Sequence, residues 1–148
     1  MNINPAGKIY VGSDESSYEL KSDLKPYLEE LGFLVVDLGA FDIVEPSDYT
    51  VIAREVAEKV VENEDACDDI DDKDSMRHGC EAYGLLLNAN GEGMLTAVNA
   101  MKGVEAALCT TSDLAKEAKA KGLRIICLAT EATDLETAKV IISAFLTD

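Results

Sequence analysis

Apolar residues follow two alternating rhythms along the chain: short continuous runs, and longer stretches in which they recur at every third or fourth position. The first run, Lys8-Ile9-Tyr10-Val11, stops at Gly12-Ser13-Asp14 and predicts a strand and a turn. Ser16-Ser17-Tyr18-Glu19 then has the spacing of a capping box. Leu20, Leu24, Tyr27, Leu28 and Leu31 continue at helical spacing up to Gly32, which can close the helix, while Pro26 removes one internal hydrogen bond and can kink it. Residues 33–39 (FLVVDLG) predict the second strand. A strand, a helix and a strand in succession most simply make parallel strands with a right-handed crossover.

The alternation repeats downstream. Residues 51–61 predict a second helix despite their β-branched content. Leu85-Leu86-Leu87 reads as a buried strand that stops at Asn88-Ala89-Asn90-Gly91-Glu92-Gly93-Met94, and Leu95-Thr96-Ala97-Val98-Asn99 resumes as a helix. Residues 103–109 predict a strand, Thr110-Thr111-Ser112-Asp113 a cap for a helix over 114–121, and Gly122 its end. Residues 123–129 form the fifth predicted strand, and Thr133-Asp134-Leu135-Glu136 a second capping box before a helix reaching Leu146. This order specifies an α/β sandwich. Its glycine turn between strand and helix, at Gly91 and Gly93, is where such proteins present backbone N–H groups and a helix N-terminus to anions.

Composition narrows the options. A chain of 148 residues fits one domain, 1–148, and no run approaches the roughly 18 apolar residues of a membrane span. The first eight residues lack the long apolar centre of a signal peptide, so a cytoplasmic protein is expected. The net charge of −16 argues against nucleic acid, and it opposes phosphorylated ligands unless cations and amides are locally arranged. Cys67, Cys80, Cys109 and Cys127 form no Cys-x-x-Cys pair and His78 is the one histidine, so no metal is expected. The densest acidic stretch lies within 62–78, and it lacks the ligand spacing of an EF-hand loop. It is expected to be a solvated, mobile surface insertion.

Gly12-Ser13-Asp14, Tyr18-Glu19-Leu20-Lys21, Asp48-Tyr49, Gly91-Glu92-Gly93-Met94, Asn99, Lys102-Gly103 and Ala106-Ala107-Leu108-Cys109, in that order and spacing, resemble the ribose-5-phosphate isomerase B and galactose-6-phosphate isomerase family. The resemblance implies a three-layer Rossmann-like sandwich with a five-stranded parallel sheet. It also implies interconversion of phosphorylated aldoses and ketoses through an enediolate, with no cofactor. The implied assembly is a dimer or higher oligomer in which each site borrows residues from its neighbour.

Carried over residue by residue, the resemblance puts Asn88 where the family's proton-transferring cysteine stands. Glu15 and Thr110 replace two histidines, Met94 occupies the place of another branch's glutamate, and the phosphate-clamping terminal arginines do not occur before Asp148. Glu92 lies close to the missing base and Thr110 stands at an implied catalytic position, while Asp14, Glu15, Asn90, Gly91, Gly93 and Asn99 are the implied ligand contacts, Asn99 also fitting a purely structural anchor. One family branch, the A subunit of galactose-6-phosphate isomerase, also lacks the cysteine and works beside a B subunit. Three expectations follow: a catalytically degenerate or partner-dependent subunit, homomeric or paired with a related chain; an active isomerase with Glu92 or Asp14 as substitute base; and an acidic protein-interaction module.

Overall fold

The computed structural model of the protein describes residues 7–41, 48–68 and 82–147. The elements, in order, are β1 (Gly7–Ser13), a 3-10 turn (Glu15–Ser17), α1 (Tyr18–Glu30), β2 (Phe33–Asp37), α2 (Tyr49–Asp68), β3 (Ala82–Asn88), α3 (Glu92–Asn99), β4 (Ala106–Leu108), α4 (Ser112–Ala120), β5 (Ile125–Ala129) and α5 (Leu135–Leu146). The strands form one parallel sheet in the order β2-β1-β3-β5-β4.

Strand alternation divides the core into two layers. Ile9, Val11, Leu85, Leu87, Ile126 and Leu128 face Leu24 and Leu28 of α1, Ala115 and Ala118 of α4, and Ile141, Ile142 and Phe145 of α5. Tyr10, Leu86, Ile125 and Cys127 face Ile52, Val56 and Val60 of α2 and Met94, Ala97 and Val98 of α3. Covering both faces is what lets β3 be a continuous apolar run. α2 lies close to the sheet because Gly12 and Gly84 have no side chain there. A Cβ on Gly12 would stand 2.6 Å from Ile52 Cγ2, and one on Gly84 2.9 Å from Val56 Cγ1.

The chain leaves β1 outward to β2 and returns to β3 on the other side of β1, so the connections diverge where β1 and β3 end. In open α/β sheets that divergence leaves a crevice at the carboxyl ends of the strands.

Helix starts differ from the expected capping boxes. A 3-10 turn precedes α1, capped by Asp14, whose carboxylate accepts from Ser17 N–H at 2.9 Å. Ser17, at the head of α1, makes no side-chain cap; its hydroxyl is 2.8 Å from Thr130 Oγ1 instead. Likewise Asp134, not Thr133, caps α5 through Thr137 N–H at 2.8 Å. In both places an aspartate, a charged and stronger acceptor, supplies the cap in place of the expected hydroxyl residue. Gly32 (φ 99°) and Gly122 (φ 81°) close α1 and α4 as expected, and Pro26 lies inside α1.

α2 continues to Asp68, so the first seven residues of the acidic stretch are helical rather than irregular. Nothing from 49 to 68 is proline or glycine, and glutamate and alanine are good helix formers. The rest of that stretch, with His78, lies outside the described residues.

Candidate functional site

The crevice is organised by Asp14. The residue is buried directly after β1, and its carboxylate is spent on structure. One oxygen accepts from Ser17 N–H and Ser16 Oγ–H, both at 2.9 Å. The other accepts from Asn88 Nδ2–H at 2.8 Å and from Ala89 N–H at 3.3 Å. Four donors from the turn after β1 and the end of β3 therefore converge on one carboxylate, joining the two strands whose connections diverge. Asn88, itself buried, presents its amide nitrogen to Asp14, and its backbone carbonyl accepts from Thr130 N–H at 2.9 Å.

The loop that follows is shaped by two glycines. Gly91 is left-handed (φ 77°), and a Cβ there would lie 2.4 Å from Leu108 Cδ1 and 3.4 Å from the Ala129 nitrogen. Position 91 therefore requires glycine both for its backbone angle and for its close packing. Asn90 is exposed, and its Oδ1 accepts from Glu92 N–H at 2.9 Å. Gly91 supplies no side-chain cap to α3. The N–H groups of Gly93 and Met94 thus stand at a helix start where an anionic oxygen would complete them.

Gly93 is where a second element enters. Asp48 caps α2 through Thr50 N–H at 3.1 Å, which sets Tyr49 at the first helical position. The Tyr49 ring lies against Gly93: a Cβ there would be 2.5 Å from Cε1 and 2.9 Å from the phenol oxygen. Tyr49 is 40% exposed, so a polar, donor-bearing edge borders the glycine loop. In the sequence Asp48-Tyr49 stands out only through the family resemblance; the one local signal for the position of Tyr49 is the helix-capping aspartate before it.

Other candidates are spread along the edge. Glu92 is exposed in the first turn of α3, and Glu15 is half-buried in the 3-10 turn. Thr110 is exposed beyond β4, with β5 lying between that strand and β3. Two strand spacings put it on the order of 10 Å from the end of β3. Asn99 lies at the far end of α3, about 12 Å along the helix, where its carboxamide accepts from Ala106 N–H at 2.7 Å and donates to Ala106 O at 3.2 Å. It fastens the start of β4, at the opposite edge from the crevice, so the ligand contact expected of it is not what its geometry provides.

Beside the crevice is a buried ion pair that sequence reasoning did not single out. Lys21 is fully buried, its Nζ 2.7 Å from Asp37 Oδ1 and hydrogen bonded to Ala40 O. Lys25 reaches Asp37 Oδ2 at 3.0 Å, and Gly39 N–H donates to Asp37 Oδ1 at 2.9 Å. Burial lowers the pKa of the Lys21 ammonium from its ordinary value, with Asp37 opposing the shift. Burial alone would raise that of Asp37, but the bonds from Lys21, Gly39 and Lys25 outweigh it and hold the carboxyl below its usual range.

Among the described residues, Cys109 and Cys127 offer no alternative base. Burial pushes the Cys109 thiol up to about 11 and that of Cys127 higher still, so both are protonated at neutral pH. Among the described residues no cluster of histidine, cysteine and carboxylate side chains could hold a metal ion, and no helix is long and apolar enough to cross a membrane.

Comparison with known proteins agrees with this architecture. A protein of Rickettsia bellii named as a presumed sugar phosphate isomerase is 30% identical over 139 residues, covering 93% of this chain and 85% of its own. The crystal structure of a ribose 5-phosphate isomerase from Thermotoga maritima superposes with a TM-score of 0.79 at 31% identity, over 95% of this chain and 86% of that one. The ribose-5-phosphate isomerase B of Mycoplasma genitalium, solved with bound ribulose-5-phosphate, gives 0.79 at 28% identity over 96% and 84%. The family model described as Ribose/Galactose Isomerase matches residues 9–70 and 71–148, and the chain belongs to that sugar-phosphate isomerase family.

Proposed function

We propose that the chain binds a phosphorylated sugar in the crevice between β1 and β3, and that alone it isomerises that sugar poorly or not at all. Catalysis is then either lost or completed by a related partner subunit. The observation that carries this reading is the Asn88–Asp14 pair. Aldose–ketose isomerisation needs a base that takes a proton from carbon. At the end of β3 stands a carboxamide, which has no such basicity. The nearest carboxylate, Asp14, already accepts four hydrogen bonds, and taking a proton would break that arrangement.

Binding is supported by different features. The N–H groups at the start of α3 and the helix dipole favour an anionic or enediolate-like oxygen at the loop. The bound ribulose-5-phosphate of the Mycoplasma genitalium relative makes a pentose phosphate the first ligand to test.

The experiment is an assay of purified protein with ribose 5-phosphate and allose 6-phosphate, together with thermal stabilisation by the same compounds. Stabilisation without turnover is expected. Co-expression with a cysteine-containing family member should yield a mixed, active oligomer if the partner-dependent form is right, and separate species if catalysis has been lost outright.

A second reading rests on Glu92, which is exposed in the first turn of the loop helix and free of the bonds that occupy Asp14. Robust turnover by the isolated chain, abolished in Glu92→Gln, would replace the first reading with this one.

A further inference from the structure

We propose that Lys21 is a positioning residue for the crevice: its buried ammonium pins residues 38–40 to the end of β1 and thereby sets where Ser13 and Asp14 stand. The inference rests on reading the crevice as a ligand site.

The chain of contacts is continuous. Past the last residue of β2, the ladder to β1 continues through Leu38 N–H to Val11 O at 2.8 Å, Ser13 N–H to Gly39 O at 2.6 Å, and Ala40 N–H to Ser13 O at 2.8 Å. Ser13 is thus held by residues 39 and 40 on one side, while its neighbour Asp14 donates its N–H to Leu87 O at 3.1 Å on the other. Asp14 in turn fixes Asn88. Lys21, one turn into α1, bonds Asp37 and the Ala40 carbonyl together, with the Tyr18 and Phe41 rings 5.4 and 5.5 Å from its Nζ.

Two features separate this from an ordinary ion pair. Lys25 already supplies Asp37 with a cation from the solvent side, its own side chain being 39% exposed. A second, fully buried ammonium is a costly way to repeat that service. What the bonding of Lys21 adds is a donor for the Ala40 carbonyl, in the segment laid against Ser13. The two lysines therefore have different tasks: one neutralises, the other joins.

The test compares amide hydrogen exchange in Lys21→Met, Lys25→Met and the paired variant Lys21→Met/Asp37→Leu. The paired change swaps an ion pair for apolar side chains, which buried sites often tolerate, so it keeps the question open if the single variant fails to fold. Relative to β5, the Ser13, Asp14 and Ala40 amides should exchange at least about tenfold faster in both variants lacking Lys21, and at the wild-type rate in Lys25→Met. Uniform acceleration through the sheet, or none at those three amides, overturns the proposal and leaves Lys21 a structural ion pair.

Titration with ribose 5-phosphate adds a second readout. Affinity about tenfold weaker in the variants lacking Lys21, and unchanged in Lys25→Met, is expected; unchanged affinity throughout overturns the positioning role. Failure of the wild-type chain to bind ribose 5-phosphate counts against the ligand reading of the crevice, while the exchange data still decide what Lys21 does.

Discussion

The carboxyl edge of the sheet has two halves that use similar residues in opposite ways. On the β1–β2 side, Asp14, Asp37 and Lys21 are paired, and what they hold is backbone: the turn after β1 and the segment after β2. On the side of α3 and β4, Asn90, Glu92 and Thr110 are exposed. A carboxylate surrounded by donors is a structural part, whereas one in water is free to meet a ligand. The presence of acidic side chains at strand ends therefore does not by itself identify chemistry; the hydrogen-bond partners do.

The largest expected effect tests the structural half. Asp14→Ala leaves Asn88 Nδ2, Ala89 N–H and Ser17 N–H without their shared acceptor, a loss of about 3–4 kcal/mol by urea unfolding. Thr110→Ala, on the exposed half, should stay within about 0.5 kcal/mol. Equal costs for the two would break the distinction. Next comes the glycine between the halves: Gly91→Ala combines a left-handed φ with contact at Leu108, and should cost about 2–3 kcal/mol in the same measurement.

Much of this architecture is readable from the sequence. Five apolar runs, the glycine closures and the loop at Gly91 and Gly93 follow from local pattern, because burial on both sheet faces and positive φ each restrict residue type at single positions. What could not be read depends on partners distant in sequence. Asp14 looked like a turn residue or a ligand group until Asn88, 74 positions away, was brought to it. By sequence Lys21 is one of two lysines in the first helix; only the return of β2 beside β1 buries it against Asp37 and Ala40. Asn99 was drawn toward the site by resemblance, although α3 carries it to the opposite edge, where Ala106 holds it.

Acid sharpens the comparison further. Asp37 has a carboxyl pKa held below its unfolded value, so its stabilisation is present in full above about pH 4 and is lost as pH falls through the lower, folded value. Asp37→Asn should cost about 1–2 kcal/mol at neutral pH, and its stability curve should converge on that of the wild type as the pH falls below the lowered, folded value. A constant gap across an acid titration followed by urea unfolding would show that the carboxylate charge is not what stabilises this half.

The next test converts one half toward the other. Asn88→Cys removes the amide donor to Asp14, at a cost of about 1 kcal/mol, and puts a titratable group at the end of β3. If the proposed lack of a base at this position limits turnover, ribose 5-phosphate isomerisation should rise at least about tenfold above the wild-type rate, since a positioned base contributes about 10²–10⁴-fold. No gain would show that a thiol at this position is not sufficient for turnover, with Thr110 the next position to change.

Glu92→Gln should alter stability least, by about 0.5 kcal/mol or less, because the carboxylate is exposed and loses only its favourable place in the first turn of α3. Its value lies in the direction of its functional effect. If Glu92 is only a negative charge beside an anion site, removing it tightens ribose 5-phosphate binding by about two- to fivefold, an effect that fades as salt screens the charge. If Glu92 is the base, the variant instead keeps its affinity and loses turnover. Calorimetric titration at low and high salt, run beside the isomerisation assay, separates an open carboxylate that repels from one that works.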